Sequence, residues 1–129
     1  MYDNLKKLAN SYLITRTPIK DRSKDRMRYS INSDDTEIAR AILREAEKNP
    51  ELFTYLRELY VSPDYRGRGL SRMLIQAIRE DAPEKRVVLR PRPFKDKPLT
   101  EKQLTELYTH LGAKPYEGVP DRLTFDPLV

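Results

Sequence analysis

Two of the chain's four glycines stand between arginines in Arg66-Gly67-Arg68-Gly69-Leu70-Ser71, directly after a strand-forming run and directly before an amphipathic stripe. That spacing suits capture of an anion. Glycine lets the main chain approach an oxyanion, a helix start offers unpaired N–H groups and a positive dipole end, and Arg66 and Arg68 add full charges. A diphosphate fits such a turn well. Two common diphosphate motifs do not match: the dinucleotide fingerprint needs a glycine where Arg72 stands, and the P-loop needs Gly-Lys-Ser/Thr.

The elements that must position this turn are readable on either side of it. Leu52–Val61, rich in aromatic and branched residues between Pro50 and Pro63, is expected as a strand. After the glycines, Leu70, Met73, Leu74, Ala77 and Ile78 form a helical stripe that Asp81-Ala82-Pro83 ends. Val87-Val88-Leu89 reads as a short buried strand within Arg86–Arg90, closed by Pro91 and Pro93. Thr100 and Gln103 form a capping box, Leu99 and Leu104 occupy staple positions, and Leu104, Leu107, Tyr108 and Leu111 share one helix face before Gly112. Tyr116 and Arg122–Phe125 are expected as a final hairpin turning at Gly118–Asp121. Toward the N-terminus the pattern predicts a short helix over residues 2–10, a strand at Ser11–Thr15, a mobile linker over Thr17–Asp25 and a strand at Arg26–Ile31. A helix is expected to start at Ser33-Asp34-Asp35 and to carry Ala39, Ile42, Leu43 and Ala46 to Asn49-Pro50.

Composition narrows the chemistry. With 129 residues and no repeat, the chain is expected to form one domain, residues 1–129, with residues 1–30 as a mobile arm. No apolar run approaches the roughly 20 residues of a membrane span, and the N-terminus does not open like a signal peptide, so the expectation is a soluble, cytoplasmic protein. Zero cysteines and one histidine exclude disulfides, a cysteine nucleophile and thiolate metal sites, and no metal is expected. The net charge of +5 is a modest bias that an anionic ligand explains. Lys20, Arg22, Lys24, Arg26 and Arg28 alternate along the chain; they read as a solvated, charge-protected edge, with an anionic substrate or polynucleotide surface as the competing reading.

The glycine turn resembles the signature of the GCN5-related N-acetyltransferase (GNAT) superfamily, Arg/Gln-x-x-Gly-x-Gly/Ala, here Arg66-Gly67-Arg68-Gly69-Leu70-Ser71 after Leu59-Tyr60-Val61, with Ser71 in the last small-residue position. Leu99–Ala113 is similar to the family's later helix ending Tyr-x-x-x-Gly-Phe, with Ala113 in place of phenylalanine. The details resemble small phage or mobile-element members. The resemblance implies an α/β (α+β) fold with a central mixed, mostly antiparallel sheet flanked by helices and an abbreviated N-terminal half.

It also implies acetyl-CoA as cofactor, its diphosphate on the backbone of Arg66, Gly67, Arg68, Gly69, Leu70 and Ser71 and its pantetheine arm along Leu59, Tyr60 and Val61. Acetyl transfer to a primary amine needs a neutral amine, a donor to the oxyanion and a proton for the departing thiolate. Tyr108, a phenol protonated at neutral pH, stands in the position of the acid; the alternative is that it only extends the apolar stripe. Glu58, the carboxylate within the strand leading to the turn and expected to share a face with Leu56 and Tyr60, is the candidate base, with water as its competitor. His110 is expected to face solvent, and Arg90, Arg92, Lys95 and Lys97 to lie in a solvated loop, with contact to the cofactor's 3′-phosphate or to a substrate as the competing reading. An abbreviated acceptor end suits a lysine or N-terminus of a protein, and the chain itself is expected to be a monomer or homodimer with no membrane partner. Two other readings compete: a catalytically inactive CoA-binding sensor or inhibitor, and a nucleic-acid-binding module using the Lys20–Arg28 stripe.

Overall fold

Asp34 and Asp35 both adopt positive φ, 49° and 64°, and join two paired strands at Ser33 and Thr36. Two successive positive φ values are the backbone of a tight hairpin turn whose twist matches its flanking strands. The computed structural model describes residues 12–92 and 99–129. The helix expected at residues 2–10 lies outside them. The elements are β1 (Ile14–Pro18), β2 (Asp25–Ser33), β3 (Thr36–Glu45), β4 (Phe53–Val61), a 3₁₀ turn at Pro63–Tyr65, α1 (Leu70–Asp81), β5 (Arg86–Leu89), α2 (Glu101–His110), β6 (Lys114–Pro115) and β7 (Leu123–Phe125).

One sheet runs β1-β2-β3-β4-β5-β7-β6. Only β4 and β5 pair in parallel; every other neighbour is antiparallel. This is the mixed, mostly antiparallel sheet that the resemblance implied. Residues 14–18 and 25–30, assigned above to a mobile arm, are paired strands, and the expected linker shrinks to the turn between β1 and β2.

The helix expected after Ser33 is instead β3. Its pattern misleads because a central strand is buried on both faces: Ile38, Ala39, Ala41, Ile42 and Leu43 are all buried. An apolar residue on either face also satisfies i, i+3, i+4 spacing. A bulge adds to the confusion. Ile31 pairs with Ala39 and Asn32 with Glu37, so Ile38 is the extra residue and Glu37 comes to share a face with Arg40.

A second bulge sits in β4. Ile42 pairs with Glu58 and Leu43 with Leu56, which leaves Arg57 without an opposite residue. Consecutive residues of β3 point to opposite faces, so Leu56 and Glu58 do too. The shared face expected for Leu56 and Glu58 is therefore corrected: Leu56 enters the core, while Glu58 keeps company with Tyr60 on the other side.

α1 contacts β2, β3 and β4 and buries Leu70, Leu74, Ile75, Ala77 and Ile78. Tyr29, Ile31, Ala39, Ala41, Leu59 and Val61 occupy one sheet face by register, and Tyr29, Ile31, Ala39 and Ala41 share a core cluster with the α1 residues. Each fully buried leucine or isoleucine contributes about 1.5–3 kcal/mol relative to exposure.

The end of α1 is tied to the sheet through Asp81, which accepts from Tyr29 Oη at 2.6 Å and from the Arg16 guanidinium. Burial pushes the Asp81 carboxyl up, but the bonds from Arg16 and Tyr29 outweigh it and the net shift is downward. A depressed carboxyl stabilises the fold above its unfolded pKa and loses that contribution as pH falls through the folded value. Asp81→Asn is expected to cost about 1 kcal/mol at pH 7, modest because the pair is partly exposed, with the deficit vanishing at an acid pH below the depressed folded value. Urea unfolding at the two pH values checks this; an equal deficit at both would show that the carboxylate charge is not what ties α1 down.

Candidate functional site

β4 is hydrogen-bonded to β3 along its length, but β5 meets it only from Phe53 to Leu56. From the Arg57 bulge to Val61 its other edge has no strand beside it among the described residues, so main-chain N–H and C=O groups there are available to a ligand. The segment after that edge leads through the 3₁₀ turn into the glycine cradle. Gly67 and Gly69 both have φ +79°, a backbone that other residues rarely adopt, and nothing lies within 4 Å of where a Cβ would stand. Gly69 is also the N-cap of α1 and supplies no side-chain acceptor, so the first N–H groups of that helix have no side-chain partner at the cap.

The opposite wall comes from α2. Thr100 Oγ1 accepts from Gln103 N–H at 3.2 Å while Gln103 Oε1 accepts from Thr100 N–H at 2.9 Å, the capping box expected from sequence. At the other end Gly112 N–H donates to Thr109 C=O and Ala113 N–H to Tyr108 C=O, with Gly112 at φ +112°. This pair of bonds is a Schellman closure, and it fixes the last turn, which carries Tyr108.

Between these walls lies a cleft of about 450 Å³. Leu59 and Val61 line it from β4, Arg66, Gly67, Gly69, Leu70 and Ser71 from the cradle, and Leu104, Leu107, Tyr108 and Leu111 from α2. Tyr60 and Arg68 are turned elsewhere. Tyr60 lies under the Arg40 guanidinium at 4.6 Å on the opposite sheet face, and Arg68 stacks on Tyr65 at 4.8 Å while donating to Tyr12 Oη at 2.9 Å. Arg66 stays at the cleft with its Nε donating to Val61 C=O at 3.2 Å.

Tyr108 is buried, and burial raises its phenol pKa well above the usual value, reinforced by Tyr55 and the Glu58 carboxylate nearby. A phenol held neutral over the whole working range is a hydrogen-bond donor that meets negative charge forming beside it with its O–H. Glu58 does not line the cleft. Its carboxylate accepts from Arg40 Nε at 3.1 Å and Nη2 at 3.2 Å, and Arg40 also donates to Glu37, which Arg28 and Ser30 bond in turn.

Sequence reasoning missed several cleft residues, among them Tyr65, Arg72 and His110. His110, expected to face solvent, is exposed yet lines the cleft mouth, and Arg72, noted only as a departure from the dinucleotide fingerprint, lies beside it and donates to the His110 C=O at 3.4 Å. The helical spacing of Ser71 and Arg72 after the cradle was the available signal. Of the basic residues at 90–97, Lys95 and Lys97 lie outside the described residues.

Over residues 27–112 the chain matches the family described as acetyltransferase (GNAT) domain. Comparison with curated proteins gives no match. Among solved structures it is similar to a GNAT family acetyltransferase from Elizabethkingia anophelis with acetyl-CoA bound, 13% identical at a TM-score of 0.62 and covering 91% of this chain and 99% of that one. The N-acetyltransferase YlbP of Bacillus subtilis in complex with coenzyme A is 22% identical, TM-score 0.58, with coverage of 78% and 67%. The GNAT family N-acetyltransferase YhbS of Escherichia coli in complex with CoA is 17% identical, TM-score 0.57, with 80% of this chain covered. This chain spans 59% of the length of the Escherichia coli protein. Likeness at these identities carries the fold, and nothing in it bears on phage or mobile-element origin. Because the matched stretch runs from β2 through the cradle to the glycine that ends α2, the chain belongs to the GNAT acetyltransferase domain family.

Proposed function

We propose that this protein transfers the acetyl group of acetyl-CoA to a primary amine, with a lysine or N-terminus of a protein as the acceptor class. One observation carries the reading: a single cleft joins the bare glycine cradle, the unpaired edge of β4 and the buried Tyr108 hydroxyl-bearing ring. The residues present fit a CoA thioester. Cradle N–H groups and Arg66 suit the diphosphate, the open β4 edge suits the amides of pantetheine, and Leu59, Val61, Leu104 and Leu107 suit its apolar portions. When bound, acetyl-CoA supplies an acetyl carbon activated by its bond to sulfur.

The remaining chemistry belongs to the protein. Main-chain N–H groups along Arg57–Val61 are the donors within reach of a carbonyl oxygen lying on that edge. Tyr108 gives its proton to the sulfur as the C–S bond breaks and the N–C bond forms, and its raised pKa keeps that proton in place until then. The attacking amine sheds a proton to water or to Glu58, which sits on the face of β4 opposite Leu59 and Val61. Nucleic acid and a catalytically silent sensor remain the competing classes, and no feature of the described structure favours either.

The reading is tested by calorimetry with acetyl-CoA and by CoA release in the presence of a lysine peptide, a peptide with a free N-terminus and small primary amines. Binding with release is expected; binding without release on any amine would move the protein to the sensor class. Tyr108→Phe is expected to lower kcat by about 100-fold while acetyl-CoA affinity changes less than about twofold. Undiminished turnover by the phenylalanine variant would remove Tyr108 from proton transfer. Gly69→Ala forces a side chain onto φ +79° and is expected to weaken acetyl-CoA binding by about tenfold and to lower stability by about 1 kcal/mol, read by calorimetry and urea unfolding.

A further inference from the structure

Among the described residues, three buried guanidinium nitrogens find no hydrogen-bond partner: Arg44 Nε, Arg79 Nε and Arg90 Nε. Two of these arginines are satisfied in other ways. Arg44 faces the Asp25 carboxylate at 3.6 Å, and Arg79 donates through Nη2 to Asp126 C=O at 2.8 Å while its guanidinium lies over Phe125. The Arg90 side chain has no hydrogen bond, ion pair or ring partner among the described residues. A half-buried cation in that state is costly, because it gives up hydration and gains no opposite charge.

Arg90, expected in a solvated loop, is instead half-buried and held at the end of β5. Pro91 is buried and restricts the residue before it to extended backbone, and Arg92 N–H donates to Arg90 C=O at 2.9 Å around it. By strand alternation Arg90 falls on the side of Val88, whose partner on β4 is Tyr55. Tyr55 lies near Tyr108, and the bulge at Arg57 puts Tyr55 and Glu58 on one face. Arg90 therefore stands where β4 and β5 part, on the face that carries Glu58. The charges across that face are already balanced, since Glu37 and Glu58 answer Arg28 and Arg40 in one bonded row. One half-buried guanidinium is left over, and its fork of N–H groups matches a single carboxylate.

We infer that Arg90 selects acceptors carrying a carboxylate close to the amine, which narrows the acceptor class to an acidic peptide, a lysine or N-terminus with Asp or Glu beside it. The inference rests on the acetyl-transfer reading and adds which amines are taken.

Rates of CoA release with peptide pairs that differ only in Glu or Gln next to the acceptor lysine, or next to a free N-terminus, test it on the intact protein. Wild type is expected to favour the glutamate peptide about tenfold in kcat/KM, through KM with kcat equal, as suits one charge-assisted hydrogen bond. Arg90→Gln is expected to raise KM for the glutamate peptide to that of the glutamine peptide. Arg90→Glu is expected to favour a peptide with Arg in place of Glu, a gain that misfolding cannot produce. Wild-type rates indifferent to Glu or Gln, a preference that survives in Arg90→Gln, or faster turnover of a phosphoserine peptide than of the glutamate peptide would overturn the assignment while leaving acetyl transfer intact. Acetyl-CoA binding without release on any peptide would overturn both.

Discussion

A strand that is paired on one side and abandoned on the other organises this molecule. β4 is locked to β3 by antiparallel bonds, yet its parallel pairing with β5 stops at Leu56, one residue before the Arg57 bulge. A parallel pair diverging at a bulge leaves backbone donors and acceptors that neither strand can satisfy, and such groups call for water or a ligand. The cradle, the helix it starts and the facing helix α2 are all arranged around that opening. Without the divergence, Gly67 and Gly69 would cap a helix beside a closed sheet, and Tyr108 would be an ordinary core residue.

The face of the sheet turned away from the cleft is held by charge. Arg28, Glu37, Arg40 and Glu58 run across β2, β3 and β4 as alternating partners, with Ser30 filling a further bond to Glu37 and Tyr60 stacked on Arg40. Both bulges contribute: the one at Ile38 brings Glu37 onto the face of Arg40, and the one at Arg57 brings Glu58 there. Desolvation pushes the Glu37 carboxyl up, but hydrogen bonds from Arg28, Ser30 and Arg40 win and lower it, while Glu58 raises the Arg40 guanidinium. Half-buried charges in such a row are costly to leave unpaired, so the row favours one register of three strands over its neighbours.

The local signals around the cleft were plain in the residues themselves. Thr100 with Gln103, Gly112 after the last turn, and the stripe from Leu70 to Ile78 are interactions within a few positions of one another, and the structure realises all of them. Arg68 shows the limit of that approach. Its place in the motif suggested a ligand contact, but Tyr65 and Tyr12, the latter distant in sequence, offer a stacking surface and a hydroxyl acceptor that turn it away from the cleft.

From the amino-acid order alone came the cradle, its following helix and the capped helix carrying Tyr108, because caps, glycine turns and single-face stripes are written in neighbouring residues, while the mixed sheet was implied by the family resemblance. Tertiary structure decided that residues 36–45 are a strand, that Glu58 and Leu56 part company, and that Arg72 and His110 border the cleft. Those outcomes depend on which strands lie on either side and on bulges that shift side chains from one face to the other. Periodicity along one chain carries no record of neighbours that only folding supplies.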